Sequence, residues 1–266
     1  VWDTLSSGDK SAALQQMWRN KAISDTYAPG STFKLLTSSA ALEEGITDTD
    51  NSGEFNCGGS INIAGTRIKC WRYYRPHGSQ SLRQALMNSC NPVFIGLGQK
   101  IGVEKYYDYL EKFGFFGKTG VELPGEAKGI FVKEEKCGPV ELATISFGQG
   151  ISVTPIQQVT GVSAAINGGT LYKPYTVKYI TEPNTNNLIL ENKPTKIRQV
   201  ISSETSSIMR YALESVVALG GGKSAYIEGY RIGGKTNTAQ KQENGVYLVN
   251  NYIMSFMAVV PSNDPE

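Results

Sequence analysis

The stretch Ala28-Pro29-Gly30-Ser31-Thr32-Phe33-Lys34 runs straight into the largely apolar run 35–42, and no other part of the chain constrains fold and chemistry so tightly. Pro and Gly punctuate the backbone and good helix formers follow, so a helix is expected to start at about Ser31. It should stop at Glu44-Gly45, where glycine permits a left-handed cap. Three residues apart, Ser31 and Lys34 then share a helix face. A serine in the first turn also lies beside unpaired N–H groups and the positive end of the macrodipole, which favour a developing oxyanion. A hydroxyl, an amine able to take its proton and an anion site thus fall together, the outline of an acylating serine. S-x-x-K alone is a weak signal, because a capping serine and a solvated lysine spell the same four letters.

The totals exclude several classes. At 266 residues, with 40% hydrophobic and 19% charged residues, the chain has ample material for a core. A net charge of +2, from 26 basic and 24 acidic residues, leaves no electrostatic footprint for nucleic acid, and no Lys/Arg run interleaved with aromatics occurs. No apolar stretch approaches the length of a membrane span, and the N-terminus lacks a signal-peptide pattern. Starting at Val1 without Met and stopping just after a strand-like segment, the chain is read as a fragment, one domain over 1–266, with any anchor or further domain outside it.

Along the chain, residues 12–21 suit a short helix, and residues 48–79 turn Gly-, Asn- and Ser-rich with a small hairpin near Ser60-Ile61-Asn62-Ile63. Helices are expected over 81–87, 93–101 and 104–113, then a turn-rich region over 114–138. Thr154-Pro155 is a cap followed by proline and opens a helix to about 166; residues 203–218 read as another. Strands are expected over 172–181, 187–190, 229–240 and 247–260, the last two joined at Glu243-Asn244-Gly245, an Asn-Gly hairpin signal. Helices interspersed with strands and a C-terminal hairpin make a mixed sheet-plus-helix domain.

Two further motifs bear on Ser31. Ser89-Cys90-Asn91 falls in the break between two helices; as plain structure it is a cap-and-turn cluster, and as chemistry Ser89 relays a proton while Asn91 binds a substrate amide. Lys235-Thr236-Asn237-Thr238 lies in a strand after Gly233-Gly234, which puts Thr236 and Thr238 on one face. Such a face, with Lys235, suits an extended substrate and its carboxylate, although Thr-rich strands with an edge lysine are also ordinary structure.

S-x-x-K, S-x-N and a K-T-G-like triplet in this order are the known signature of penicillin-binding proteins and serine β-lactamases. With Tyr27-Ala28-Pro29-Gly30-Ser31-Thr32-Phe33-Lys34, Leu123-Pro124-Gly125-Glu126, Phe147-Gly148-Gln149-Gly150, Thr154-Pro155-Ile156-Gln157 and Gly233-Gly234-Lys235-Thr236, the chain resembles the transpeptidase domain of class B penicillin-binding proteins over nearly its whole length. The resemblance implies an α+β fold of the penicillin-binding-protein/serine β-lactamase type, a mostly antiparallel sheet flanked by helices with an all-helical subdomain. It implies a D,D-transpeptidase that acylates Ser31 with a peptidoglycan stem peptide ending in D-Ala-D-Ala, and that β-lactams inhibit. Lys34, Ser89 and Lys235 complete the catalytic set; Asn91, Thr236, Asn237 and Thr238 bind substrate, and the N–H groups of Ser31 and Thr238 form the oxyanion hole. It further implies the extracytoplasmic face of a bacterial membrane, an N-terminal anchor and a membrane glycan polymerase as partner, with no cofactor for catalysis. Asn237 departs from the pattern, standing where glycine normally follows Lys-Thr. A serine β-lactamase would need a deacylating Glu with an asparagine partner, which Glu122 and Glu126 lack; a sensor that acylates and stops is the other alternative.

Four cysteines are too few for a disulfide scaffold. Cys57, Cys70 and His77 lie in one glycine-rich loop without a standard zinc spacing, and a tetrahedral structural zinc needs a fourth ligand. Asp25, just before the Ser31 motif, is the candidate and Cys90 the substitute. Lys69-Cys70-Trp71 and Pro76-His77-Gly78 resemble the clostridial, sporulation-type branch, whose members include zinc binders; the metal there would be a staple. Cys137 is expected to be an incidental buried residue.

Overall fold

The computed structural model describes residues 2–243 and 246–265. Helices α1 (Ser7–Trp18) and α2 (Lys21–Ser24) precede a 3-10 turn, Gly30–Thr32, and the central helix α3 (Lys34–Glu43). Strands β1 (Phe55–Cys57), β2 (Ser60–Ile63), β3 (Thr66–Lys69) and β4 (Gly78–Gln80) form the next segment. Then come α4 (Leu82–Met87), α5 (Asn91–Ile101), α6 (Val103–Lys112), α7 (Pro139–Ile145) and α8 (Pro155–Ile166). Strands β5 (Thr170–Lys173), β6 (Tyr179–Thr181), β7 (Leu188–Glu191) and β8 (Thr195–Gln199) lead to α9 (Ser203–Ala218) and the closing pair β9 (Gly233–Glu243) and β10 (Val246–Val259). Every strand pairing among the described residues is antiparallel: β1 with β4, β2 with β3, β5 with β8, β6 with β7, and β9 with β10. The mixed α+β architecture expected from the sequence is what forms.

Helix α3 is buried on all sides and packs against α5, α8 and α9. Its leucines and alanines supply the apolar contacts, but Thr37, Ser38 and Ser39 are equally enclosed. Their hydroxyls donate within the core: Ser38 and Ser39 to the carbonyls of Lys34 and Leu35, both at 2.8 Å, and Thr37 to Ser146 O at 2.8 Å. A buried hydroxyl is tolerated only with such a partner, and bonding to the carbonyl four residues back keeps it inside the helix's own ladder. At the other end, the Glu43 carboxylate accepts from Ser202 N–H at 3.0 Å and from the Thr205 hydroxyl at 2.6 Å, binding α3 to the first turn of α9.

Some expectations shift. The α-helix proper begins at Lys34, and Ser31 belongs to the 3-10 turn before it, because Gly30 adopts a positive φ of 51°. Gly30 N–H donates to Gly148 O at 2.9 Å, and a Cβ on Gly148 would lie 2.1 Å from Gly30 O, so both glycines are required for this close approach. The helix expected over 12–21 forms earlier, at Ser7–Trp18, capped by Ser6. The single strand expected over 172–181 is two, β5 and β6, with Pro174 between them. Helix α7 and strand β8 were not anticipated. The Asn244-Gly245 turn lies outside the described residues.

Candidate active site

The candidate site is a cleft built where three chain segments meet: the Ser31 turn, the α4–α5 corner and the inner edge of β9. Helix α4 starts with a capping box between Ser81 and Gln84 and stops at Asn88. Ser89 then takes a positive φ of 51°, a conformation that costs a non-glycine residue about 1–3 kcal/mol and is retained where the surroundings impose it. That turn aims the Ser89 hydroxyl at Ser31, while Asn91 and Pro92 open α5. On β9, Lys235 and Asn237 are buried and Thr236 and Thr238 are more open, the alternation expected of a strand, and Thr236, Asn237 and Thr238 all line the cleft. Gly234 is needed because a Cβ there would stand 2.5 Å from Met257 O and Phe256 of β10.

Ser31 Oγ lies 3.0 Å from Lys34 Nζ and 2.9 Å from Ser89 Oγ. Lys34 Nζ also reaches Ser89 O at 2.9 Å, Asn91 Oδ1 at 2.7 Å and Ser89 Oγ at 3.0 Å. Ser89 O and Asn91 Oδ1 can only accept. A neutral amine gives its two protons to these oxygens, which leaves its lone pair for the hydroxyls. Burial, then the charge of Lys235, hold the Lys34 pKa well below that of an ordinary lysine, which favours this neutral form. Lys235 Nζ stands 3.0 Å from Ser89 Oγ, and burial lowers its pKa to about 8. A chain of donors, Lys235 to Ser89 to Ser31 to Lys34, is therefore in place.

The surrounding cleft has a volume of about 630 Å³. Its far wall, Leu219, Gly220 and Gly221, follows α9, and Gly221 N–H donates to Met87 O at 3.1 Å. Trp71 closes one end and donates its indole N–H to Asn88 O at 2.9 Å. Sequence reasoning did not assign these wall residues; the glycine triplet 220–222 was the available signal. A larger hollow of about 950 Å³, between α1 and Leu123-Pro124-Gly125, contains none of the reactive groups.

Asn237 departs from expectation. The Ser31 N–H, expected to await an oxyanion, instead donates to Asn237 Oδ1 at 3.0 Å. Glycine could not do this, having no side chain.

Behind the cleft, Cys57, Cys70, His77 and Cys90 bring their sulfur and nitrogen atoms within 4.8 Å of one another. Cys70 Sγ lies 3.6 Å from His77 Nδ1. The hydrogen bond between Cys70 and Cys90 lowers the Cys70 thiol to about 5 and raises that of Cys90. Asp25 is not part of this group; its carboxylate pairs with Arg19 beside α2, and Cys90 takes the fourth place. Pairing of β1 with β4, together with the turn after α4, closes the cluster from distant parts of the sequence. Cys137 stands apart and is only half-buried.

The fold and this constellation together define a serine acyl-transfer site of the penicillin-binding type. The penicillin-binding-protein transpeptidase domain model matches residues 4–266, and the chain belongs to that family. It is 51% identical to stage V sporulation protein D of Bacillus subtilis over 93% of this chain and 38% of that protein. It is 32% identical to a peptidoglycan D,D-transpeptidase FtsI homolog of Mesostigma viride over 94% of this chain and 45% of that one. Penicillin-binding protein 3 of Mycobacterium tuberculosis, solved with aztreonam, superposes with a TM-score of 0.84 at 30% identity, over 92% of this chain and 56% of that one. The chain thus spans about two-fifths of the length of these curated relatives.

Proposed function

We propose that this chain is the catalytic part of a peptidoglycan D,D-transpeptidase that works through an acyl-enzyme on Ser31 and is inhibited by β-lactams. The observation that carries this is the Ser31 Oγ held between Lys34 Nζ at 3.0 Å and Ser89 Oγ at 2.9 Å, with Lys34 buried. Lys34 takes the Ser31 proton as Oγ attacks the carbonyl before the terminal D-Ala. The negative charge on that oxygen is received by backbone N–H groups, with Ser31 and Thr238 as donors. The proton passes through Ser89 to the leaving nitrogen of D-Ala, leaving an ester on Ser31. An amine of a second stem peptide then attacks the ester, gives its proton back along the same route, and frees Ser31 as the cross-link forms. Lys235 with Thr236 and Thr238 receives the substrate carboxylate, and Asn91 its amide.

Among the described residues lining the cleft there is no carboxylate to activate water against the ester. Glu122 accepts from the N–H groups of Thr176 and Val177, and Glu126 from those of Thr119 and Gly120. Both are thus engaged in holding loops, which supports transpeptidation over β-lactam hydrolysis. Incubation with a fluorescent penicillin is expected to label the wild type stably and Ser31→Ala not at all. Rapid release of the label would support a β-lactamase. Labelled protein that fails to cross-link a stem peptide would support a sensor.

Cys57, Cys70, His77 and Cys90 fit a structural Zn2+, a closed set of three sulfurs and one imidazole. The metal would supply a staple beside the α4–α5 corner. Purified protein is then expected to carry about one equivalent of zinc, and less than half an equivalent overturns the assignment. The 51% identity to stage V sporulation protein D supports a place in cell-wall synthesis during sporulation. Action on the extracytoplasmic face, a membrane anchor and a glycan-polymerising partner belong to the same proposal, supported by the resemblance to class B enzymes. Depletion of the gene in a sporulating culture, followed by wall analysis, tests this part.

A further inference from the structure

We infer that the Asn237 carboxamide occupies the oxyanion hole of the resting enzyme and is a rate-setting residue that ligands must displace before Ser31 can be acylated. The inference rests on the acyl-serine reading above and concerns what limits that reaction.

The Ser31 N–H has one proton to give. In the reaction it must go to the carbonyl oxygen under attack, and in this structure it goes to Asn237 Oδ1 at 3.0 Å. The acceptor is not a surface group that drifts in. Asn237 is 4% exposed, and its position on β9 faces inward alongside Lys235. The side chain lies flat against Gly30, where an added Cβ would come within 1.9 Å of Oδ1. The absent Gly30 side chain is what admits the amide. An amide nitrogen at the same place could not accept from Ser31, so the hydrogen bond also fixes which end of the carboxamide points at the hole.

The other end is unsatisfied. Nδ2 of Asn237 is fully buried and has no hydrogen-bond partner among the described residues. A buried donor without a partner is unfavourable, so the seated amide combines one good contact with one bad one. Rotation away from Ser31 gives up a neutral hydrogen bond and lets Nδ2 find water or a ligand atom. These opposing terms make the side chain displaceable rather than locked. Acylation then proceeds from the fraction of enzyme in which the hole is open, and the observed rate scales with that fraction. A donor missing from an oxyanion hole lowers rates by about 100- to 1,000-fold, which sets the upper limit of what a fully seated amide can withhold.

The test measures the second-order rate of acylation by a fluorescent penicillin for wild type, Asn237→Gly, Asn237→Ala and Asn237→Asp, with melting temperatures alongside. Gly and Ala both free the Ser31 N–H and are expected to acylate about 10-fold faster or more. Asp places a negative charge on the same donor and is expected to acylate more slowly than wild type. At saturating penicillin the gain should fall on the acylation step rather than on initial binding, because the amide withholds a transition-state contact. A crystal structure of the penicilloyl enzyme should show Asn237 Oδ1 no longer in contact with Ser31 N–H. Unchanged or slower acylation by both Gly and Ala, with melting temperatures held, overturns the inference and makes the side chain a support for catalysis. Should wild type itself remain unlabelled at Ser31, the acyl-serine reading fails first, a result distinguishable from any ratio between variants.

Discussion

Lys235 Nζ lies 3.0 Å from Ser89 Oγ although 146 residues separate them in the chain, and this contact joins the strand β9 to the α4–α5 corner at the nucleophile. Both lysines of the site are buried, yet they have opposite tasks. In the proposed mechanism Lys34 has to be neutral to accept a proton, and Lys235 has to be charged to donate to Ser89 and attract a carboxylate.

Those tasks fix the pH dependence. Below the Lys34 pKa, which burial and Lys235 hold well under the ordinary lysine value, the base is protonated and acylation is slow; it rises with pH. Above about 8, Lys235 loses its proton and the rate falls again. The profile of penicillin acylation should be bell-shaped with its alkaline limb near pH 8. Lys235→Arg, which stays charged, should move that limb beyond pH 10. A flat wild-type rate between pH 8 and pH 10 rules this account out.

Lys34→Met separates chemistry from stability. Methionine fills a fully buried slot of similar length and carries no charge to desolvate. Acylation should fall by about 100- to 10,000-fold, the range for a lost general base, while the melting temperature holds or rises. Retained acylation would show that another group takes the Ser31 proton.

Cys90 belongs to the thiol cluster while its neighbours Ser89 and Asn91 both contact Lys34. Cys90→Ser should therefore lower bound zinc to under half an equivalent and slow acylation together, with a lower melting temperature. Asp25→Ala should leave zinc content unchanged, since that carboxylate pairs with Arg19. Zinc loss in the Asp25 variant would reverse the assignment.

Glu43→Ala tests the tie between α3 and α9. It removes the acceptor for Ser202 N–H and the Thr205 hydroxyl, at about 1–2 kcal/mol, the scale of a lost helix cap. In a chain of this size the melting temperature should drop by roughly 2–8 °C. Acylation at 25 °C should be unaffected. An unchanged melting curve would mean that water replaces the carboxylate at no loss.

Most of the groups that meet in the candidate site were legible because each motif is local. Ser31 and Lys34 sit three residues apart, Ser89 and Asn91 flank one turn, and Lys235, Thr236 and Thr238 alternate along one strand. What resisted reading depends on distant partners. The 3-10 turn at Ser31, instead of the first turn of an α-helix, is set by Gly148 far along the chain. Cys90, rather than Asp25, completes the thiol cluster because the β1–β4 pairing and the α4–α5 corner converge there. Helix α7 was obscured by Gly138 before it and Pro139 at its first position, and Pro174 divides what the pattern read as one strand. The direction of the Asn237 amide depends on the empty space at Gly30, which no local pattern encodes.

If β-lactams act on Ser31 as proposed, the contact of Gly30 with Gly148 restricts how this chain can evolve away from them. On the proposed acyl-serine reading, a methyl on Gly148 drives into the backbone of Gly30 and shifts Ser31 for substrate and drug alike, whereas a methyl on Gly30 meets the Asn237 amide and sits on a backbone of positive φ that strains any L side chain. Heritable resistance then has no useful one-step route through Gly148. Selection must work instead on the walls of the cleft, such as Trp71 or Leu219, which lie outside the hydrogen-bonded chain around Ser31.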